Sequence, residues 1–291
     1  MEESKAKHLP PNVVLCADFF ECAETIAPQS IDLLFVDPPY NLTKQFNQQV
    51  FRRRSLDAYA IWLESWLPRV YPALKIEASV YICGDWRSSG AIHQVCEKYF
   101  TVRNRITFER EKGRGARNDW KNSSEDIWFC TVSKKYFFDS DAVKLKRRVI
   151  APYRLNGTAR DWDTEEDGKF RLTNSSNLWT DITVPFWSMS ENTPHPTQKP
   201  EKLLAKILLA SSRPGDRVLD PFAGSGTTGV VAKKLGRQYQ MIELDEEYCL
   251  YALRRLELAE KFPQIQGYND GVFWERNSAP QLRPQASRVE K

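Results

Sequence analysis

The chain has 291 residues, of which 41% are hydrophobic and 27% charged, with a formal net charge of +4 at pH 7; this is a globular composition for one large domain or one and a half ordinary ones. No apolar run approaches the ~20 residues of a membrane-spanning helix, and the polar opening MEESKAKHLPPN has no export core, so a cytoplasmic protein without a membrane partner is expected. Cys16, Cys22, Cys83, Cys96, Cys130 and Cys249 are scattered without metal-ligand spacing, which points to reduced thiols and no metal. The charge permits a nucleic-acid partner without demonstrating one.

In chain order, residues 1–11 read as a loose tail, and Val13 to Leu15 as a short strand leading to Asp18. Glu21 to Ile26 reads as a short helix. Ile31 to Val36 is an almost continuous apolar run, which suits a parallel strand covered on both faces. Residues 41–54 have no period and end in Arg52, Arg53 and Arg54, so a loop is expected. Leu56 to Leu74 patterns as a helix, Ser79 to Cys83 as a strand stopped by Gly84, and Gly90 to Tyr99 as a helix. Thr101 to Phe108 and Asp126 to Val132 alternate, predicting an antiparallel hairpin whose loop is rich in Arg and Lys. Residues 139–194 have little period and many aromatic and polar residues. A stretch that long is no plain connector, and it reads as an inserted recognition region. Regular pattern returns at His195. Pro200 opens a helix whose buried face is Leu203, Leu204, Ile207 and Leu208. Arg217 to Leu219 is a strand, Thr227 to Leu235 a helix, Tyr239 to Ile242 a strand and Glu246 to Phe262 an amphipathic helix. Residues 276–291 read as a disordered tail.

Two stretches carry chemistry. The first is Asp220-Pro221-Phe222-Ala223-Gly224-Ser225-Gly226-Thr227, immediately after a strand. Glycines at 224 and 226 allow a sharp turn and close approach of a ligand. About 20 residues on, a second strand ends in Glu243-Leu244-Asp245, where an acid can hold a ribose hydroxyl pair. The glycine pattern alone fits either a nicotinamide cofactor or S-adenosylmethionine.

The second is Asp37-Pro38-Pro39-Tyr40, at the end of the Ile31 to Val36 run. An exocyclic amino nitrogen of adenine or cytosine is a weak nucleophile, because its lone pair is delocalised into the ring. A carboxylate (Asp37) and a backbone carbonyl (Pro38) can both accept its hydrogens and free that lone pair for in-line attack on a methyl sulfonium. Pro38 and Pro39 fix the local φ values. Tyr40 offers a face on which a base taken out of the helix can stack. Catalysis of this kind is positioning and hydrogen bonding.

In their order along the chain, DPPY at 37–40, the irregular 139–194, HPTQKP at 195–200 and DPFAGSGTT at 220–228 resemble the β group of amino-directed DNA methyltransferases. The resemblance covers roughly residues 12–257. It implies an α/β fold: a doubly wound, Rossmann-like, mostly parallel seven-stranded sheet with one antiparallel strand, a circularly permuted motif order and an inserted target-recognition region. The implied division is a catalytic half at 12–138, the recognition region at 139–194, and at 195–262 the half that binds S-adenosylmethionine. By position, Asp37, Pro38, Pro39 and Tyr40 would serve the acceptor. Asp220, Phe222, Ala223, Gly224, Ser225, Gly226 and Thr227 would line the donor, with Glu243 or Asp245 on its ribose. Asp18 resembles the family's contact to the donor's adenine, and Thr197 and Lys199 its contacts to the methionine part. Asp at 37 with Tyr at 40 is similar to the adenine-N6 members, while cytosine-N4 members more often begin with Ser. Double-stranded DNA is the implied partner. A homodimer and a cognate restriction endonuclease acting on the same site are both compatible with the group.

Overall fold

The structure is a computed structural model describing residues 8–46, 49–114, 118, 120–149, 154–159, 161–165 and 168–276. The N-terminal tail as far as residue 7, Arg117, Tyr153 and the C-terminal tail beyond Arg276 lie outside the described residues. In chain order the main elements are β1 Val13–Cys16, α1 Phe19–Cys22, β2 Ile31–Val36, α2 Leu56–Val70, β3 Leu74–Gly84, α3 Ser89–Tyr99, β4 Thr101–Arg114, β5 Asn122–Thr131, β6 Leu178–Trp179, α4 Glu201–Ser211, β7 Arg217–Asp220, α5 Thr227–Lys234, β8 Gln238–Glu243 and α6 Glu246–Lys261.

The apolar run of β2 becomes a central strand because both its faces are covered. Leu33 and Phe35 point into one core with residues of α4, α5 and α6, and Ile31, Leu34 and Val36 into another with residues of α2 and α3. Full burial of such side chains stabilises by about 1.5–3 kcal/mol each, before the entropy of ordering them. The sheet order is β1-β8-β7-β2-β3-β5-β4-β6. Its helices lie on both faces, as a doubly wound sheet requires. β5 runs antiparallel to β3 and β4, and every other pairing is parallel. The single antiparallel strand is as expected, but the sheet has eight strands rather than seven. The extra one is the two-residue β6, which adds to the edge of β4.

The chain leaves β2 towards β3 and leaves β7 towards β8, in opposite directions across the sheet. The crevice between β2 and β7 is therefore the switch point at which ligands bind in such sheets. Parallel pairing of Val218 with Leu33 and Leu219 with Leu34 carries Asp220 and Asp37 to the same edge, although they are far apart in sequence.

Several boundaries differ from the sequence pattern. Leu74 starts β3 instead of ending a helix, and the turn Tyr71–Ala73 separates the two elements. The helix expected at Glu21 to Ile26 is one turn, Phe19–Cys22, followed by a 3₁₀ turn Ala23–Thr25. The expected loop at 41–54 contains a short antiparallel pair, Lys44–Phe46 with Gln49–Phe51. β4 and β5 run further into the basic hairpin loop than their alternation shows. Residues 139–194 hold short strands, and Leu145–Arg148 and Gly168–Thr173 join a separate five-stranded sheet. That sheet is completed by two strands near the C-terminus, Tyr268–Asn269 and Val272–Trp274, which have no strong period in the sequence. Among the described residues no helix is long and apolar enough to cross a membrane. All six cysteines are free thiols, with Cys16 exposed and the others buried.

Candidate active site

An open cleft lies along the sheet edge reached by the C-terminal ends of β1, β2, β7 and β8. It is lined by Asp18, Asp37, Pro38, Pro39, Tyr40, Thr197, Lys199, Asp220, Phe222, Ala223, Gly224, Ser225, Thr227, Glu243 and Asp245. The structure thus brings together the two stretches singled out in the sequence. Gly226 does not line the cleft. Its φ is +76°, and a Cβ there would lie 2.5 Å from Ala252 Cβ, so its glycine serves close packing of the turn on α6.

The acceptor half is built on the rigid turn after β2. Tyr59 Oη on α2 donates to the Pro39 carbonyl at 3.1 Å. Lys199 Nζ donates to Asp37 Oδ2 at 2.6 Å. The other oxygen, Asp37 Oδ1, is buried and has no hydrogen-bond partner among the described residues. Burial pushes the Asp37 carboxyl above the ordinary range; Lys199 opposes that and Glu125 adds to it. Lys199 is 8% exposed, so its ammonium lies in the interior of the site. Burial disfavours its charge, but Asp37 and Glu125 outweigh that and hold its pKa above the ordinary lysine range.

Sequence reasoning missed Glu125. Because β5 is antiparallel, its N-terminal end reaches the edge where its neighbours end, and the pairing of Asp126 with Gly84 sets Glu125 just beyond β3. Its Oε2 accepts from Tyr40 Oη at 2.8 Å and lies 3.4 Å from Lys199 Nζ. Its Oε1 accepts from Arg110 Nη1 at 2.5 Å. Burial would raise Glu125, yet Lys199 and Arg110 together bring it below the ordinary carboxylate range. Arg110, at the base of the basic hairpin, is thus engaged with an interior carboxylate. Trp128 stacks on His93 at 4.3 Å and donates to Ser89, so it packs against α3. Trp120 is 97% exposed.

In the donor half, Asp220 organises its own turn. It accepts from Phe222 N at 3.1 Å and from Thr228 Oγ1 at 2.5 Å, and burial pushes it up to about 7. Glu243 Oε2 accepts from Gly224 N at 2.7 Å and Oε1 from Asp245 N at 2.9 Å, tying the end of β8 to the glycine turn. Asp18 caps α1, accepting from Phe20 N at 2.8 Å, and Asp245 caps α6, accepting from Glu247 N and Tyr248 N. Phe19 and Phe222, 6.0 Å apart between ring centroids, form an apolar wall. Arg255 locks the turn from behind: Nη1 donates to Ser225 O at 3.0 Å and Thr227 Oγ1 at 2.8 Å, and Nη2 to Glu201 Oε1 at 3.0 Å. Thr227 Oγ1 in turn donates to Lys199 O at 3.0 Å, which couples the glycine turn to the acceptor half.

The family described as N6_N4_Mtase, DNA methylase, matches residues 31–254. The chain is 36% identical over 271 residues to the DNA adenine methyltransferase YhdJ of Escherichia coli K12, covering 89% of each. It is 31% identical over 249 residues to the type II methyltransferase M.HpaI of Haemophilus parainfluenzae, covering 84% of this chain and 74% of that one. The fold matches the cytosine-N4-specific PvuII DNA methyltransferase with a TM-score of 0.65 at 17% identity, over 86% of this chain and 88% of that one. It matches a complex of M1.HpyAVI with SAM with a TM-score of 0.59 at 23% identity, over 84% and 98%. The chain belongs to the N6/N4 family of DNA methylases.

Proposed function

We propose that this chain methylates the N6 amino group of adenine in double-stranded DNA, with S-adenosylmethionine as the donor and the target base turned out of the helix into the cleft. The observation that carries the reading is Asp37 Oδ1, a buried acceptor without a partner among the described residues, beside a second oxygen already held by Lys199. A buried acceptor left unpaired is costly, and an incoming N–H would satisfy it.

The donor half fits S-adenosylmethionine by its chemistry. The Phe19 and Phe222 rings offer an apolar wall for a purine, and Asp18, Glu243 and Asp245 present carboxylates at the strand ends for hydroxyl groups. Ala223 to Thr227 supplies the close backbone turn, with Thr197 across the cleft. Bound there, S-adenosylmethionine supplies an electrophilic methyl group on a sulfonium. The chain does the rest. Tyr40 stacks the base, and the Pro38 carbonyl and Asp37 Oδ1 accept the two amino hydrogens. Asp37 Oδ1 also takes the proton that the amino group sheds, and burial strengthens it as a base. In this reading Lys199 serves the acceptor half through Asp37.

The naming of YhdJ as an adenine methyltransferase supports adenine over cytosine. The likeness to M.HpaI supports a place beside a cognate endonuclease. Residues 139–194, with their own small sheet, suit target recognition. Labelled S-adenosylmethionine with unmodified duplex DNA, then nucleoside digestion and mass spectrometry, tests the reading. N6-methyladenine supports it, and N4-methylcytosine moves the substrate to cytosine. Asp37→Ala is expected to bind the donor normally and to lose transfer by about 10³-fold or more. Near-normal turnover would refute the role of Asp37.

A further inference from the structure

Glu125 takes no part in the acceptor chemistry just described, yet three side chains converge on it. It is 6% exposed. Tyr40 Oη donates to its Oε2 at 2.8 Å, Lys199 Nζ lies 3.4 Å from the same oxygen, and Arg110 Nη1 donates to Oε1 at 2.5 Å. Two cations, Arg110 and Lys199, thus face two carboxylates, Asp37 and Glu125, in the interior of the cleft.

This geometry does more than balance charge. A lysine has a flexible stem, and one carboxylate leaves its ammonium free to rotate about that contact. Contacts to Asp37 and Glu125 together fix Lys199 Nζ between β2 and β5. That fixes which Asp37 oxygen is occupied and which is left without a partner among the described residues. The hydroxyl contact holds the far end of the Tyr40 ring, and so the plane on which a base would stack. Misplacement of groups in such a site by about 1 Å costs on the order of 100-fold in rate.

We propose that Glu125 is a positioning residue for the methyl acceptor, fixing the Tyr40 ring and clamping Lys199 on Asp37 Oδ2 so that Asp37 Oδ1 faces the amino group. The inference rests on the acceptor reading of Asp37 given above. Arg110 acts through Glu125 by holding its second oxygen.

The test uses the full chain as wild type, Glu125→Gln, the charge-balanced double variant Glu125→Gln with Arg110→Gln, and Tyr40→Phe. Calorimetry measures affinity for S-adenosylmethionine, and steady-state transfer to unmodified plasmid duplex gives kcat and KM. Glu125→Gln is expected to keep donor affinity within about twofold and to lose about 10–100-fold in kcat. The double variant, with one cation and one carboxylate removed together, is expected to stay as slow. Recovery of kcat to near wild type in the double variant would overturn the proposal and leave Glu125 with charge balance alone. So would a wild-type kcat in Glu125→Gln. Should either variant fail to bind the donor, Tyr40→Phe decides, since it removes one hydroxyl. It is expected to lose about 3–10-fold in kcat, and no loss would overturn the proposal. Absence of transfer by the wild-type chain would refute the acceptor reading itself, before Glu125 is reached.

Discussion

Replacing Lys199 with methionine removes an ammonium while keeping the stem's length and apolar volume. In the native cleft that ammonium lies 2.6 Å from Asp37 Oδ2 and 3.4 Å from Glu125 Oε2, with only 8% of the residue exposed. Asp37 already lies above the ordinary range through burial, with Lys199 the main opposing influence and Glu125 adding to the rise. An opposite charge at such a distance is worth about 1–3 pKa units, or about 1.4–4 kcal/mol between the two protonation states. Without Lys199, Asp37 therefore binds its proton more tightly. Asp37 accepts hydrogen bonds from the amino group best when ionised, so transfer requires a pH above its pKa. Raising that pKa moves the acid limb of the rate profile to higher pH. Single-turnover transfer from labelled S-adenosylmethionine, followed from acid to mildly alkaline pH, is expected to show the limb displaced to higher pH in Lys199→Met. Raising the pH should recover part of the lost rate. A profile of unchanged shape, merely scaled down, would refute the coupling of Lys199 to Asp37.

Three further outcomes follow from the donor half. Gly226→Ala forces a side chain into left-handed backbone and puts its Cβ 2.5 Å from Ala252 Cβ and 3.0 Å from Ala252 Cα. A loss of about 2–4 kcal/mol in chemical denaturation is expected, and a change below about 0.5 kcal/mol would contradict the packing assigned to this turn. Arg255→Met leaves Glu201 and the Ser225 carbonyl short of a buried donor; a cost of about 3–5 kcal/mol and weaker donor binding by calorimetry are expected. Asp220 is pushed up to about 7 by burial, so the folded state holds a proton that the unfolded chain releases near the ordinary carboxylate pKa of 3.8. Its stabilisation is fully present below that ordinary value and is lost as pH rises through about 7. Wild type should therefore lose Tm relative to Asp220→Asn between pH ~4 and ~8, and a constant difference would rule out the buried proton.

The legible part of the fold was the part with strong local signals. The apolar run of β2, the glycine turn after β7 and the acids at strand ends all announce themselves in sequence, because each depends on neighbours close along the chain. The order of the stretches added the sheet and its single antiparallel strand by resemblance. Glu125 was not legible, since its burial depends on β5 running against β3 and on a register set by residues far away. Arg110 looked like one cation among many in a basic hairpin for the same reason. The functional reading of Lys199 suffered similarly: a lysine before a proline at a helix start gives no sign that two carboxylates will meet it. The strands Tyr268–Asn269 and Val272–Trp274 are too short for periodicity to reveal.

Those last strands bear on how such a protein could acquire a new target. Phe273 pairs with Leu145 and Trp274 with Lys146, so Val272–Trp274 runs alongside Leu145–Arg148 of the small sheet. Lys202 of α4 fastens this arrangement by donating to the carbonyls of Asp181 and Trp274. The segment 139–194 is therefore not a self-contained cassette. Exchange between relatives that moved 139–194 alone would leave Leu145–Arg148 facing a foreign neighbouring strand, whereas a crossover that carried residues 268–274 along with it would transplant the sheet whole. If residues 139–194 select the target as proposed, changes of target should accordingly be inherited from two separated stretches of the gene at once.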